Sequence, residues 1–361
     1  MLLHKLRCSL FSIFFCLFFI GSFSYFIEDI RFLRTPLVSS SMIFALLGFI
    51  LNSKSFSKTP SNIALFTFAS ISIIFYIAYA HITYEVDFDS TIALGSFWLL
   101  FFYTQSLQKD ELYVNSFLIS LTLITSLFIL LLLQLGILSA INPNAIGILA
   151  VAVLLLSSYS HLIKRINFWA WIIISFSSLY ISIYHQSRVS FVIVFAISLL
   201  YSSHYLNKKY FFYYAIIGLI SALSFYYLTS DYMNDLTLKN SSTSGAGDIT
   251  NGRMHVWEVA IQNLNWFGHH PIQIDAFLPY GVHNSYLAFI LKFGLFQFYI
   301  IIFLLLIFFM KNFFRLFKNI RIVAFIIPFL LIGMFEEILG SHIFLFLLLA
   351  FAIVRLRVKV F

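Results

Sequence analysis

Apolar runs about as long as a bilayer is thick recur from one end of this chain to the other, separated by short charged gaps. Within a bilayer every backbone N–H and C=O must find its partner inside the protein, so each run reads as a helix and the fold class as all-α. A window of roughly 20 residues gives twelve candidate spans: 9–27, 37–51, 63–81, 91–107, 116–136, 145–159, 168–183, 189–205, 211–228, 285–310, 322–335 and 343–354. Only 10% of the residues are charged and the mean hydropathy is +0.96, against roughly 25% charged in a soluble domain. The whole of 1–361 therefore reads as one polytopic integral membrane domain.

The termini and cysteines fit that class. Lys5 and Arg7 precede an apolar run as in a signal peptide, but the run reaches Phe26 without a small-residue cleavage site and reads as an uncleaved first helix. Cys8 and Cys16 stand eight residues apart, roughly 12 Å along a helix, too far for a disulfide, which needs Cα atoms within about 7 Å. They are expected free and buried. The 46 Phe and 20 Tyr residues are spread along the chain and read as membrane-facing bulk, with no cofactor box among them.

A formal charge of +8 raises the question of nucleic acid, and the distribution of charge answers it. With the N-terminus inside, the cytoplasmic gaps hold 16 of the 22 basic residues, from Lys5 and Arg7 to Arg357 and Lys359. The other face keeps Arg31, Arg34, Arg188, Lys239, Arg253 and Lys292, and of the acids only Asp110 and Glu111 fall inside. This is the positive-inside pattern of a membrane protein with both termini cytoplasmic. Nucleic acid drops out as a partner, and membrane lipid takes its place.

One long polar stretch, from Thr229 to Asn284, interrupts the apolar succession and falls outside, between the ninth and tenth spans. Connections of that length are functional or disordered. It holds Asn251-Gly252-Arg253, which reads as a helix start capped by Thr250 or Asn251, with Arg253, Trp257 and Leu264 on one face. Trp257 there is either an interfacial anchor or, with Arg253, a surface for a sugar diphosphate. Gly245-Ala246-Gly247 lies in a Ser/Thr-rich run with no strand before it and is no phosphate loop.

Three outward helix starts carry polar residues: Asn142-Pro143-Asn144, Ser187-Arg188 and His283-Asn284-Ser285. Asn and Ser are favoured N-caps, and capping alone explains them. An outward N-terminus also offers free N–H groups and a positive dipole, which suits an anion. Arg188 reads as a phosphate clamp or as an arginine snorkelling to headgroups. His283 can serve as a general base or simply as a helix-end residue. Lys292, roughly 10 Å down the tenth span, is an intramembrane charge, and Glu336-Glu337 could pair with an arginine or touch sugar. His269, His270, Asp275 and His283 match no metal-site spacing, so neither metal nor cofactor is expected.

Taken in order and by side, these features resemble the O-antigen ligase and O-antigen polymerase superfamily. The resemblance rests on twelve spans, a large outer loop between the ninth and tenth, and Asn142-Pro143-Asn144, Ser187-Arg188, Gly252-Arg253 with Trp257, and His283-Asn284 with Gly294 further down. It implies a metal-independent glycosyltransferase of the bacterial inner membrane, acting at the periplasmic face on glycan carried by undecaprenyl diphosphate. Arg188 and Arg253 would then hold the diphosphate and His283 would activate the acceptor hydroxyl. Asn144, Trp257, Asn284, Lys292 and Glu336 would bind substrate. A chain-length regulator and a flippase would be its partners. Two departures, the lack of a second loop arginine before His283 and Lys292 where relatives often have an acid, tilt the reading from ligase to polymerase. The main non-enzyme alternative is a transporter or flippase for the same lipid-linked sugar, against which stands the absence of a two-halves repeat.

Overall fold

The structure is a computed structural model and describes residues 2–24, 27–56, 60–83, 94–96, 98–100, 102–103, 106–107, 109–138, 143–162, 164–185, 187–202, 253–278, 282 and 284–318. The expected spans at 211–228, 322–335 and 343–354 lie outside those residues, and that at 91–107 is described only in part. The elements among the described residues are all helices. In chain order they are α1 (Leu2–Ser24), a 3-10 helix (Glu28–Leu33), α2 (Arg34–Phe56), α3 (Pro60–Thr83), α4 (Lys109–Gln134), α5 (Pro143–Leu162), α6 (Phe168–Tyr184), α7 (Arg188–Ser202), α8 (Arg253–Gln262), α9 (Pro271–Phe277) and α10 (Ser285–Lys318). Among the described residues three helices are long and apolar enough to cross a membrane, at Leu3–Gly21, Glu28–Ser53 and Ser285–Phe303. Apolar stretches in α3 to α7 are shorter.

α1 and α2 form an antiparallel hairpin. A Cβ on Gly21 would stand 2.9 Å from a methyl of Val38, so the backbones approach closely there. At the opposite end Arg7 Nη1 donates to Asn52 Oδ1 at 3.3 Å. Phe11, Phe14, Phe15 and Phe18 recur at the spacing of one helix face and are fully or almost fully buried. These rings therefore belong to the core, which corrects the expectation that the aromatic residues are membrane-facing bulk. Tyr103 meets Phe14 edge-on at 5.2 Å and lies over Gly48, where a Cβ would stand 2.6 Å from its ring. Neither cysteine forms a disulfide; Cys8, at the edge of that phenylalanine face, is only half-buried, and Cys16, off it, is exposed.

α5 is the central helix. Residues 146–160 are buried without exception, the mark of a helix enclosed on all sides. α4, α6 and α7 pack round it, joined by polar bonds. Trp171 Nε1 donates to Ser158 Oγ at 2.8 Å, and the Tyr201 hydroxyl donates to the Ser158 carbonyl at 2.9 Å. That hydroxyl has one hydrogen, so at 2.9 Å from His161 Nδ1 it accepts from the imidazole.

α10 differs most from expectation. It runs on to Lys318 and is broken at Gly294, where φ is 85° and ψ 162°, a conformation open in practice to glycine alone. An unbroken helix would bond the N–H of Leu295 to the Leu291 carbonyl and that of Phe296 to Lys292. Instead Leu295 donates to the Asn265 carbonyl at 2.9 Å and Phe296 to the Trp266 carbonyl at 3.0 Å, while the Leu291 carbonyl accepts from His269 at 2.7 Å. The segment between α8 and α9 thus fills the break with its own backbone. Gly268, with φ 86°, lies directly against it. A Cβ on Gly268 would stand 2.7 Å from the Lys292 carbonyl carbon, and one on Gly294 would stand 2.6 Å from the Gly268 nitrogen.

Neither glycine tolerates a methyl group, since the atoms in the way are backbone and the left-handed conformation itself costs about 1–2 kcal/mol. Gly268→Ala and Gly294→Ala are each expected to lower the unfolding temperature of the detergent-solubilised protein. Gly95→Ala, whose Cβ would meet nothing within 4 Å, should not. Equal melting of all three variants would show that the crossing is not close-packed.

Candidate functional site

Two of the three polar helix starts are brought into contact. Gly147 in the first turns of α5 lies against the start of α7, where a Cβ would stand 2.5 Å from Ser187 Oγ and 2.7 Å from Ser190 Oγ. Ser187 and Ser190 are both buried and share a hydrogen bond of 2.8 Å. α5 and α7 therefore begin side by side, with the positive ends of their dipoles on the same side of the molecule. Asn144 is the second residue of α5 and Arg188 the first of α7, so both belong to this pair of first turns.

A histidine that the sequence reading passed over stands at the same end. His185 follows the last residue of α6, and its Nε2 lies 2.7 Å from Oε1 of Gln134, the last residue of α4. The amide oxygen can only accept, so Nε2 carries the proton. Burial lowers the pKa of the imidazole below its usual value, which favours the neutral ring. The bond ties the ends of α4 and α6 together three residues before Arg188. Its sequence signal was faint: a lone Gln closing an apolar run, and a His beside a Ser-Arg pair.

The third start belongs to a second cluster. Asn284 Oδ1 accepts from the N–H groups of Tyr286 at 3.0 Å and Leu287 at 3.1 Å, so Asn284 is the N-cap of α10 and is itself nearly buried. Arg253 opens α8. One turn on, Trp257 is half-buried against Ala260, Leu278, Val282 and Leu291, and its Nε1 donates to the Val282 carbonyl at 3.1 Å. The ring thus fixes α8 to the approach of α10, where the sequence suggested a headgroup anchor or a free sugar platform. α8 ends at Gln262, so Leu264 lies past the helix on which it was expected, although it packs on the same apolar cluster.

The remaining residues divide as follows. His269 Nε2 is 2.6 Å from the Asn263 carbonyl, and His270 caps α9 by accepting from the Ile272 N–H at 3.3 Å. Asp275 is exposed on α9. Among the described residues no three metal-ligating side chains cluster. Lys292 is half-buried just above the break in α10, with its ammonium 5.9 Å from the Phe293 ring centre. His283 and Glu336 lie outside the described residues, as do Asn251 and Gly252.

The lowered pKa of His185 has a consequence for stability. A histidine that is harder to protonate folded than unfolded adds stability above its unfolded pKa of about 6.5, and that stability is lost as pH falls below it. The unfolding temperature of the wild type is expected to fall between pH 7.5 and 5, and that of His185→Gln to fall less. Identical profiles would remove His185 from this account. In comparisons with protein-family models, with curated proteins and with solved structures, the chain matches none.

Proposed function

We propose that this protein is a membrane glycosyltransferase that joins oligosaccharide repeat units carried on undecaprenyl diphosphate, acting as an O-antigen type polymerase at the periplasmic face of the bacterial inner membrane. The reading carries with it the twelve-span topology with both termini cytoplasmic. Its support is one observation: Arg188 and Arg253 are each the first residue of a helix. A cation there faces the positive end of the dipole, a cost of about 0.3–1 kcal/mol. An anion bound to the free N–H groups reverses that sign, and a diphosphate is an anion large enough to take both guanidinium groups.

In this mechanism the acceptor hydroxyl of one repeat unit attacks the anomeric carbon of the other. The bond from that carbon to the diphosphate oxygen breaks, and the lipid diphosphate leaves. Arg188 and Arg253 stabilise the charge that develops on the leaving oxygens. His283 takes the hydroxyl proton. Asn144, Lys292 and Glu336 contact substrate, whereas Asn284 and Trp257 act by holding the start of α10 and the position of α8.

A second reading, a transporter for the same lipid-linked sugar, draws on the break in α10, since discontinuous helices recur in transporters. A lipopolysaccharide gel of a strain lacking the protein separates these. Core bearing a single repeat unit, without a ladder, is the expected result. Bare core, with long chains left on the carrier, would replace polymerase by ligase, and an unchanged ladder would remove both. Arg188→Ala and Arg253→Ala are expected to give the null pattern while still inserting in the membrane. A normal ladder from both would end the diphosphate model.

A further inference from the structure

We propose that Asn265–His269 is a re-entrant segment that enters the membrane from the side on which α10 begins and locks α8 and α9 to the membrane helices. Two independent measures place it below the surface. Along α10, Gly294 is the middle residue of the stretch Ser285–Phe303 that is long and apolar enough to span, and it lies about 14 Å below Ser285. Along α3, the Gln297 side chain donates to the Ser72 carbonyl at 2.7 Å, and Ser72 is the midpoint of Pro60–Thr83. Phe267 stacks on Tyr79 with ring centres 4.4 Å apart and stands 6.1 Å from Phe75. Phe75 and Tyr79 are roughly 5 and 10 Å from the level of Ser72, inside a hydrocarbon half-layer of about 15 Å.

Irregular backbone survives at that depth only where its polar groups are satisfied by protein. Four of them are satisfied so here: the carbonyls of Asn265 and Trp266 and the N–H of His269 bond to α10, the Phe267 N–H donates to Asn265 Oδ1 at 3.0 Å, and both sides of the crossing are glycine. The segment and the broken helix exchange three backbone hydrogen bonds. Asn265 follows α8 by three residues and His269 precedes α9 by two, so the plug fixes both helices at their adjoining ends. The chemistry proposed above is not needed for this conclusion.

The test uses the full chain in membranes with Cys8→Ser and Cys16→Ser as background. Tyr79→Cys is paired with Phe267→Cys and treated with a short bis-methanethiosulfonate, and the chain is cut at a protease site placed in the exposed turn at Lys164–Arg165. Tyr76→Cys with Phe293→Cys, whose rings are 5.6 Å apart, is the control for the α3–α10 contact. The two fragments are expected to stay joined in both pairs. Separate fragments from 79/267, with the control joined, would overturn the proposal. Depth is read from a membrane-impermeant maleimide: Phe267→Cys is expected to react at least about tenfold more slowly than Ile272→Cys on the exposed side of α9. Equal rates would place the segment at the surface and overturn its re-entrant character even if the cross-link forms.

Discussion

The crossing of Gly268 and Gly294 is the point on which the second half of the described structure depends. A broken helix leaves N–H and C=O groups without partners, and in hydrocarbon each such group costs several kcal/mol. The chain meets that demand with backbone from a segment nearly thirty residues earlier. Because the donors and acceptors are main-chain atoms, the match requires approach closer than any Cβ permits. Two glycines in left-handed conformations are the chemical form of that requirement, and α8, α9 and the cap of α10 take their places from it.

The helices α4 to α7 are held by a different logic. Between apolar helices in lipid there is little hydrophobic driving force, so association relies on close packing and on hydrogen bonds between helices. α5 supplies both, with Gly147 for approach and Ser158 as a junction for Trp171 and Tyr201. The contact at Gly147 sets α5 and α7 side by side from their first turns. Parallel helices with coincident N-termini repel one another through their dipoles.

Much of this was legible in the sequence, and the parts that were not have physical reasons. Hydropathy placed the starts of α6, α7 and α10 within a residue, because Asn167, Ser187 and Asn284 mark them as polar groups before apolar runs. It could not reveal the break in α10, since Gly294 lies well inside one candidate span and hydropathy does not distinguish one helix from two. Nor could it reveal the re-entrant segment. Trp266, Phe267 and Gly268 sit in a polar loop by sequence, and only their bonds to a distant backbone carry them into the membrane. Trp257 was identified as important for a reason that geometry revises: the indole N–H has a carbonyl to satisfy at Val282, which makes the residue a strut. His185 went unnoticed because its partner, Gln134, is fifty-one positions away.

The two arginines remain the most telling residues, because their charge has the same sign as the helix ends on which they stand. Arg34 also opens a helix, but on a turn that carries Glu28 and Asp29. Arg188 has no acid within five residues on either side, whereas Asp248 and Glu258 stand five residues before and after Arg253. At a helix start a local carboxylate is the usual neutraliser, accepting from the same N–H groups that repel a cation. Where sequence supplies none, neutralisation falls to more distant groups or to a ligand. A ligand that neutralises both arginines must be polyanionic, and one that reaches them from a bilayer must carry an apolar chain. On the function proposed above, a polyprenyl diphosphate would meet both conditions.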